Sequence, residues 1–250
     1  MSLVLARNEW RRQFARPLAW IVLAAVLGVL AYFFLLSLDA FLRLMPKLAG
    51  MADAPGVTDL VALPLTRALA SLLLLVVPLF GMRALAGDLQ AGTLALLQAS
   101  GLGDTRIVLG KYLALVGFVG VLIALAMTMP LSLGFGTALD VGRLGACAFG
   151  LLLFGAALAA IALAASAYTD QPTVAAIVAL ALNLLLWMAD AGARYEGVSS
   201  TFINYLALPT HLEPFLHGLV SSVDIVYFVL IAALALTLAA RRLGARRVRG

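Results

Sequence analysis

The chain predicts an all-α integral membrane protein with six spanning helices, and three observations carry that prediction. Apolar residues other than glycine make up 64% of the 250 residues, charged residues only 12%, and mean hydropathy is +1.09. Soluble domains are about 45–50% apolar with glycine included and about 25% charged, so this chain has too little polar surface to cover itself in water. The few charges are gathered between long uncharged runs, which is the pattern of a polytopic membrane protein. The single cysteine, Cys147, excludes a disulfide framework or a cysteine-rich metal site. High hydropathy excludes intrinsic disorder.

A span needs about 20 mostly apolar residues, because a helix rises about 1.5 Å per residue through about 30 Å of hydrocarbon. The uncharged runs Pro17–Leu38, Ala68–Met82, Tyr112–Leu139, Leu144–Thr169, Gln171–Ala189 and Ile225–Ala240 supply six. The second extends upstream through Leu60–Thr66, and the sixth is preceded by the uncharged Pro214–Val223. The predicted spans are therefore 17–38, 62–82, 112–133, 144–166, 172–190 and 223–240, within one transmembrane domain of residues 1–250. The first run is too long for a signal peptide and continues into Tyr32-Phe33-Phe34-Leu35-Leu36, so it reads as a retained span.

Charge placement predicts orientation. With the N-terminus inside, the inner segments hold 12 of the 17 basic residues against four acids, Glu9, Asp88, Asp104 and Asp170. The outer segments hold Arg43, Lys47, Arg67, Arg143 and Arg194 against eight acids. The net +5 thus divides into +8 inside and −3 outside. Both termini are expected in the cytoplasm of a bacterial cell, with residues 241–250 a basic tail. Topology and anionic lipid account for the high pI, and nucleic acid is not expected as a partner.

Residues 1–16 predict an interfacial helix. At about 100° per residue, Leu3, Ala6, Trp10 and Phe14 form one stripe, with Arg12, Arg16 and Glu9 opposite it and the arginines expected to face lipid phosphate. The outer loop 39–63 contains the breakers Pro46 and Pro55, and the loop 134–143 is only a turn. The third outer segment, 190–224, carries Phe202, Tyr205, Leu206, Leu208, Leu212, Phe215, Leu216 and Leu219, too much apolar surface for water. Re-entrant or interfacial helices between spans five and six are expected there.

The inner loop 83–111 combines helix starts and stops. Gly92-Thr93 offers a start with threonine as N-cap, Leu94–Ala99 a short helix, and Gly101 or Gly103 its end. Asp104 offers a second N-cap before the third span. By spacing, the short helix is either interfacial or a docking surface for a partner.

Several chemistries lack their residues. The phosphate-binding pattern Gly-x4-Gly-Lys-Ser/Thr fails at Gly110-Lys111, where Thr105 and Tyr112 occupy the outer positions. Charges cluster at span ends and the middles of the third, fourth and fifth runs carry none, which disfavours an ion-coupled carrier. His211, Glu213 and His217 lie close together, but the histidines are six apart across Pro214, so interfacial hydrogen bonding is preferred to a metal site. Ser37, Ser71, Ser132 and Ser166 have no histidine within any span to activate them. Cys147 reads as a packing residue. Gly145, Gly150, Gly155 and the alanines 156, 157, 159 and 160 favour close helix packing.

The ordered motifs carry a resemblance. Pro78-Leu79-Phe80-Gly81-Met82-Arg83, then Gly92-Thr93-Leu94-Ala95-Leu96-Leu97, then Val108-Leu109-Gly110-Lys111-Tyr112, resembles the region between the second and third spans of ABC-2-type transporter permeases. His211-Leu212-Glu213-x-Phe215-x-x-Gly218 with Asp224-x-x-Tyr227-Phe228 is similar to the last outer segment of the gliding-motility branch, which also resembles the permease of nitrous-oxide-reductase maturation. Ser166-x-x-Thr169-Asp170-Gln171 matches at the end of the fourth span, and the resemblance runs over essentially the whole chain.

That resemblance implies a dimeric permease, formed by a second copy or a related chain, with each half bound to a separate ATP-hydrolysing subunit. ATP and magnesium would sit on that subunit, and this chain would bind no cofactor. The implied coupling element is Gly92, Thr93, Leu94, Ala95, Leu96, Leu97, Gln98 and Ser100, flanked by Arg83, Asp88, Gly110 and Lys111. His211, Glu213, Phe215, Gly218, Asp224 and Tyr227 form the implied outer-face motif, and outer-face accessory proteins are implied as possible partners. Ala95 stands where the family usually has glutamate, and Gly87 where it often has an acid. The implied function is export, or force transmission to outer-face partners, driven by the partner's ATP hydrolysis. The alternatives are a non-transporting membrane scaffold or assembly factor and, third, a secondary carrier.

Overall fold

The computed structural model describes residues 2–48, 56–94, 103–137, 139–195 and 205–247. Among the described residues the regular structure is helical and six helices are long and apolar enough to cross a membrane. The helices outrun the apolar runs that suggest them, because a backbone in lipid keeps its hydrogen bonds by remaining helical until water or protein can replace them.

Helix α1 (Ser2–Phe14) ends two residues before Pro17, the first residue of α2 (Pro17–Leu48). Proline disfavours helical geometry in the residue before it, which forces an elbow. Trp20 closes the elbow by donating from its indole nitrogen to the Phe14 carbonyl at 2.9 Å. Helix α2 continues through Pro46 to Leu48, so the first ten residues of the expected 39–63 loop are helical. Its buried residues Ala19, Leu23, Val26 and Leu30 make one narrow stripe, and Phe41 near its far end packs on Val57 and Val61.

A π-helical turn (Thr58–Ala62) leads directly into α3 (Leu63–Gly81). The Leu63 amide donates to the carbonyl of Thr58, five residues back, and Pro64 has no amide to continue the ladder. Two short turns and α4 (Ala86–Gln90) follow. Helix α5 (Asp104–Ser132) starts from Gly103, which takes the N-cap position expected of Asp104. After a 3-10 turn at Leu133–Phe135, Asp140 caps α6 (Val141–Tyr168) by accepting from the Arg143 amide. Helix α7 is Pro172–Tyr195, and α8 (Leu208–Leu216) lies between α7 and α9 (Ser222–Arg247). Residues 241–247 of the expected tail therefore continue the last helix.

Helix α6 is the axis of the bundle. In its apolar window 72% of residues are buried, against 17% in α2 and α7, and it packs on α3, α5, α7, α8 and α9. Lipid tails are as apolar as leucine, so helices associate in lipid by close packing and polar contacts rather than by exclusion of water. Ala157, Ala159, Ala160 and Ala162 are fully buried on α6 and let its neighbours approach. Aromatic rings fill the wider gaps: Phe80 stacks on Phe118 at 4.0 Å between α3 and α5, and Phe154 meets Trp187 and Phe228.

Helix α1 and the C-terminal end of α9 lie at one end of the bundle, called the basic end below. Arg246 pairs with Asp170 at the α6–α7 junction, and α1 packs along the start of α5. The opposite end is closed by α8.

Candidate functional sites at the two ends of the bundle

At the basic end, four charged side chains from three segments meet. Lys111 of α5 donates to Asp88 of α4 at 2.5 Å and to Glu9 of α1 at 2.8 Å. Arg12 stands looser, 3.7 Å from Asp88 and 3.9 Å from Glu9. Lys111 and Asp88 are each only 4% exposed, so their charges are removed from water and depend on one another. Glu9 of α1 turns toward Lys111 of α5, while Arg12 stays exposed at the edge of the cluster. Gly110 permits the approach: a Cβ there would lie 2.8 Å from Leu5 of α1.

The connection between α3 and α4 is fastened as firmly. Ser166, near the end of α6, accepts from the amides of Leu85 and Ala86 and donates its own hydroxyl to the Met82 carbonyl. One hydroxyl thus fills three backbone groups that would otherwise be orphaned at a helix junction. Ser166 belongs to the motif that closes the fourth span, and its role is a bracket across 80 residues of sequence.

Of the expected coupling element, Gly92, Thr93 and Leu94 are described, whereas Ala95, Leu96, Leu97, Gln98 and Ser100 lie outside the described residues. Gly92 adopts φ +69°, the left-handed region that favours glycine, and stops α4. The Thr93 hydroxyl donates to the Asp88 carbonyl at 3.4 Å, so it reaches back to the preceding turn. Leu94 is buried in the main core and is not an exposed docking residue. Arg83 is exposed at the base of this connection.

At the far end, the expected outer-face motif assembles into one network. His211 places Nδ1 at 2.6 Å from Asp224 and Nε2 at 2.9 Å from the Tyr205 carbonyl. Tyr227 stacks on the imidazole at 3.8 Å and donates its hydroxyl to the Leu206 carbonyl. Phe215 enters the core beside Phe228 and Phe149, against Gly150 of α6. Gly218 has φ +84° and meets Arg143, which also donates to Asp59 at 2.7 Å and to the Leu216 carbonyl at 3.2 Å. Glu213 pairs with Arg67 at 2.8 Å and stands 3.6 Å from His217. The motif residues join α8 to α3, α6 and α9.

The described residues contain no group of three or more His, Cys, Asp or Glu placed to hold a metal ion. Cys147 is buried, its thiol directed at the carbonyls of Phe215 and Leu216.

Two features escape sequence reasoning. Arg143 looks like a loop charge and is a three-way clamp, recognisable only once Asp59 and Leu216 are beside it. Asn183, midway along α7, is fully buried with both carboxamide atoms unpartnered, and one polar residue in an apolar run carries no signal of its surroundings.

No protein-family model matches the chain, and no curated protein matches its sequence.

Proposed function

We propose that this chain is the membrane half of an ABC exporter, placed in a bacterial cytoplasmic membrane with both termini in the cytoplasm. A separate ATP-hydrolysing subunit docks beneath the connection between α3 and α5, and a second permease copy or relative completes the dimer. The observation that carries this reading is the fastening of that connection. Asp88 is tied to Lys111 and Glu9, and the Ser166 hydroxyl holds the chain at Met82, Leu85 and Ala86.

A connection held in this way cannot move alone. A push on residues 91–94 passes through α4 to α1, α5 and the axial helix α6. Buried charge pairs resist separation because each unpaired partner would be left in a poorly solvated site. The element is therefore built to transmit displacement from the cytoplasmic side into the bundle. The sequence motifs of the ABC-2 permeases support the same assignment.

Co-expression with an ATP-hydrolysing subunit encoded by neighbouring genes tests it. The two chains are expected to co-purify, and the hydrolysis rate is expected to change when this chain is present. Leu97→Asp is expected to abolish co-purification. Lys111→Met is expected to leave residual binding but lose the change in hydrolysis rate. Co-purification with no effect on hydrolysis in the unsubstituted pair would favour a scaffold.

A further inference from the structure

The basic end holds a cavity of about 90 Å³ between α1, α2, α3 and α5, bordered on one side by Arg83, Ala84 and Asp88 of the connection assigned to coupling. Arg12, Gln13, Arg16 and Arg83 line it together with the Glu9–Asp88–Lys111 cluster. The rest of its lining is apolar, with Leu18 and Leu79 also reaching the outer surface of the bundle. A single water needs about 10–15 Å³ of such space, so the cavity has room for a polyatomic group.

The charges around it do not balance. Glu9 and Asp88 are matched by Lys111 and Arg12. Arg16 and Arg83 have no ion-pair partner among the described residues, and both are exposed at the mouth. They stand where α2 and α3 reach the basic end. Arginines at such a depth face the phosphate layer of a bilayer. A third feature is an unfilled polar atom: Gln13 Oε1 is buried without a hydrogen-bond partner. A carboxamide can present either its oxygen or its amino group by a half-turn, so it can accept from a hydroxyl or donate to an anion.

We propose that this cavity binds the headgroup of an anionic glycerophospholipid. The phosphate lies between the Arg16 and Arg83 guanidiniums, whose planar forks suit phosphate oxygens. Gln13 takes a hydroxyl of the headgroup, and the acyl chains run down past Leu18 and Leu79 into the hydrocarbon. The adjoining apolar wall distinguishes a lipid from free phosphate, which would gain nothing from it. Basic pockets between spanning helices are a general means of holding such headgroups. The site needs only a membrane and stands whether or not an ATPase docks.

The purified, delipidated chain in neutral detergent provides the test. Added dioleoylphosphatidylglycerol and dioleoylphosphatidylcholine are compared by native mass spectrometry and by thermal unfolding. Occupancy by phosphatidylglycerol is expected to exceed that of phosphatidylcholine at least tenfold. Arg16→Gln/Arg83→Gln is expected to erase this preference, whereas Arg7→Gln/Arg11→Gln, which removes equal charge from α1 outside the cavity, is expected to keep it. Retention of the preference in the first pair, or its equal loss in both, overturns the site. Stabilisation by inorganic phosphate alone to the same degree overturns the lipid as ligand. On the unsubstituted protein, phosphatidylglycerol with a photoreactive headgroup is expected to label peptides containing residues 12–19 or 79–84, and labelling confined elsewhere has the same consequence.

Discussion

His211 and Glu213 stand two residues apart in one motif, yet their surroundings assign them different weights. His211 is 4% exposed and its partner Asp224 is 7% exposed, so removing the imidazole strands a carboxylate inside the protein. Breaking a buried pair from one side costs about 3–5 kcal/mol. The Arg67–Glu213 pair has side chains 49% and 43% exposed, where an ion pair contributes about 0–1 kcal/mol. His211→Ala is therefore expected to lower the thermal unfolding temperature in detergent far more than Glu213→Gln. Equal effects would mean that the His211 network is not closed as described. Lys111 teaches the same lesson at the opposite end. Its position beside Gly110 was legible in the sequence as part of a flank, but its two acidic partners come from segments 23 and 102 residues away.

Among the elements, α6 shows what small residues do and where they do nothing. Gly145 and Gly150 are indistinguishable as letters in an apolar run. A Cβ on Gly150 would lie 2.4 Å from the Phe215 Cβ, and one on Gly145 would meet nothing within 4 Å. The Phe215 atom adjoins its backbone, so it cannot swing away, and α8 would have to move. Overpacking of this kind costs about 1–3 kcal/mol. Alanine favours a helix over glycine by about 1 kcal/mol. Gly150→Ala is accordingly expected to destabilise the protein, with Gly145→Ala neutral or stabilising, as read by thermal unfolding in detergent. The helices themselves were legible because an apolar run in lipid has few conformations available. Their ends were less so. The apolar run stops at Leu38, but α2 continues to Leu48, since charged residues near a water boundary remain good helix formers.

For the whole molecule, if the six long apolar helices all cross the membrane, five of them separate α1 from α8, and the two are then expected on opposite sides. With Cys147 replaced by alanine, Arg7→Cys and Thr210→Cys are each exposed positions for a membrane-impermeant maleimide. Thr210→Cys is expected to react in intact cells and Arg7→Cys only after permeabilisation; labelling of both from one side would break the six-span arrangement. The sequence by itself determined the helical membrane class, the number of long apolar helices and the segregation of charge, because each depends on residues adjacent along one chain. Only the tertiary structure decided which polar groups are consumed in holding the bundle. It turned the outer motif into a lock on α8 and drew Glu9 inward to Lys111. It also left Arg16 and Arg83 with no ion-pair partner among the described residues, at a cavity mouth. Those outcomes depend on distance between residues far apart in sequence, and in a low-dielectric interior that distance settles whether a charge is matched or available.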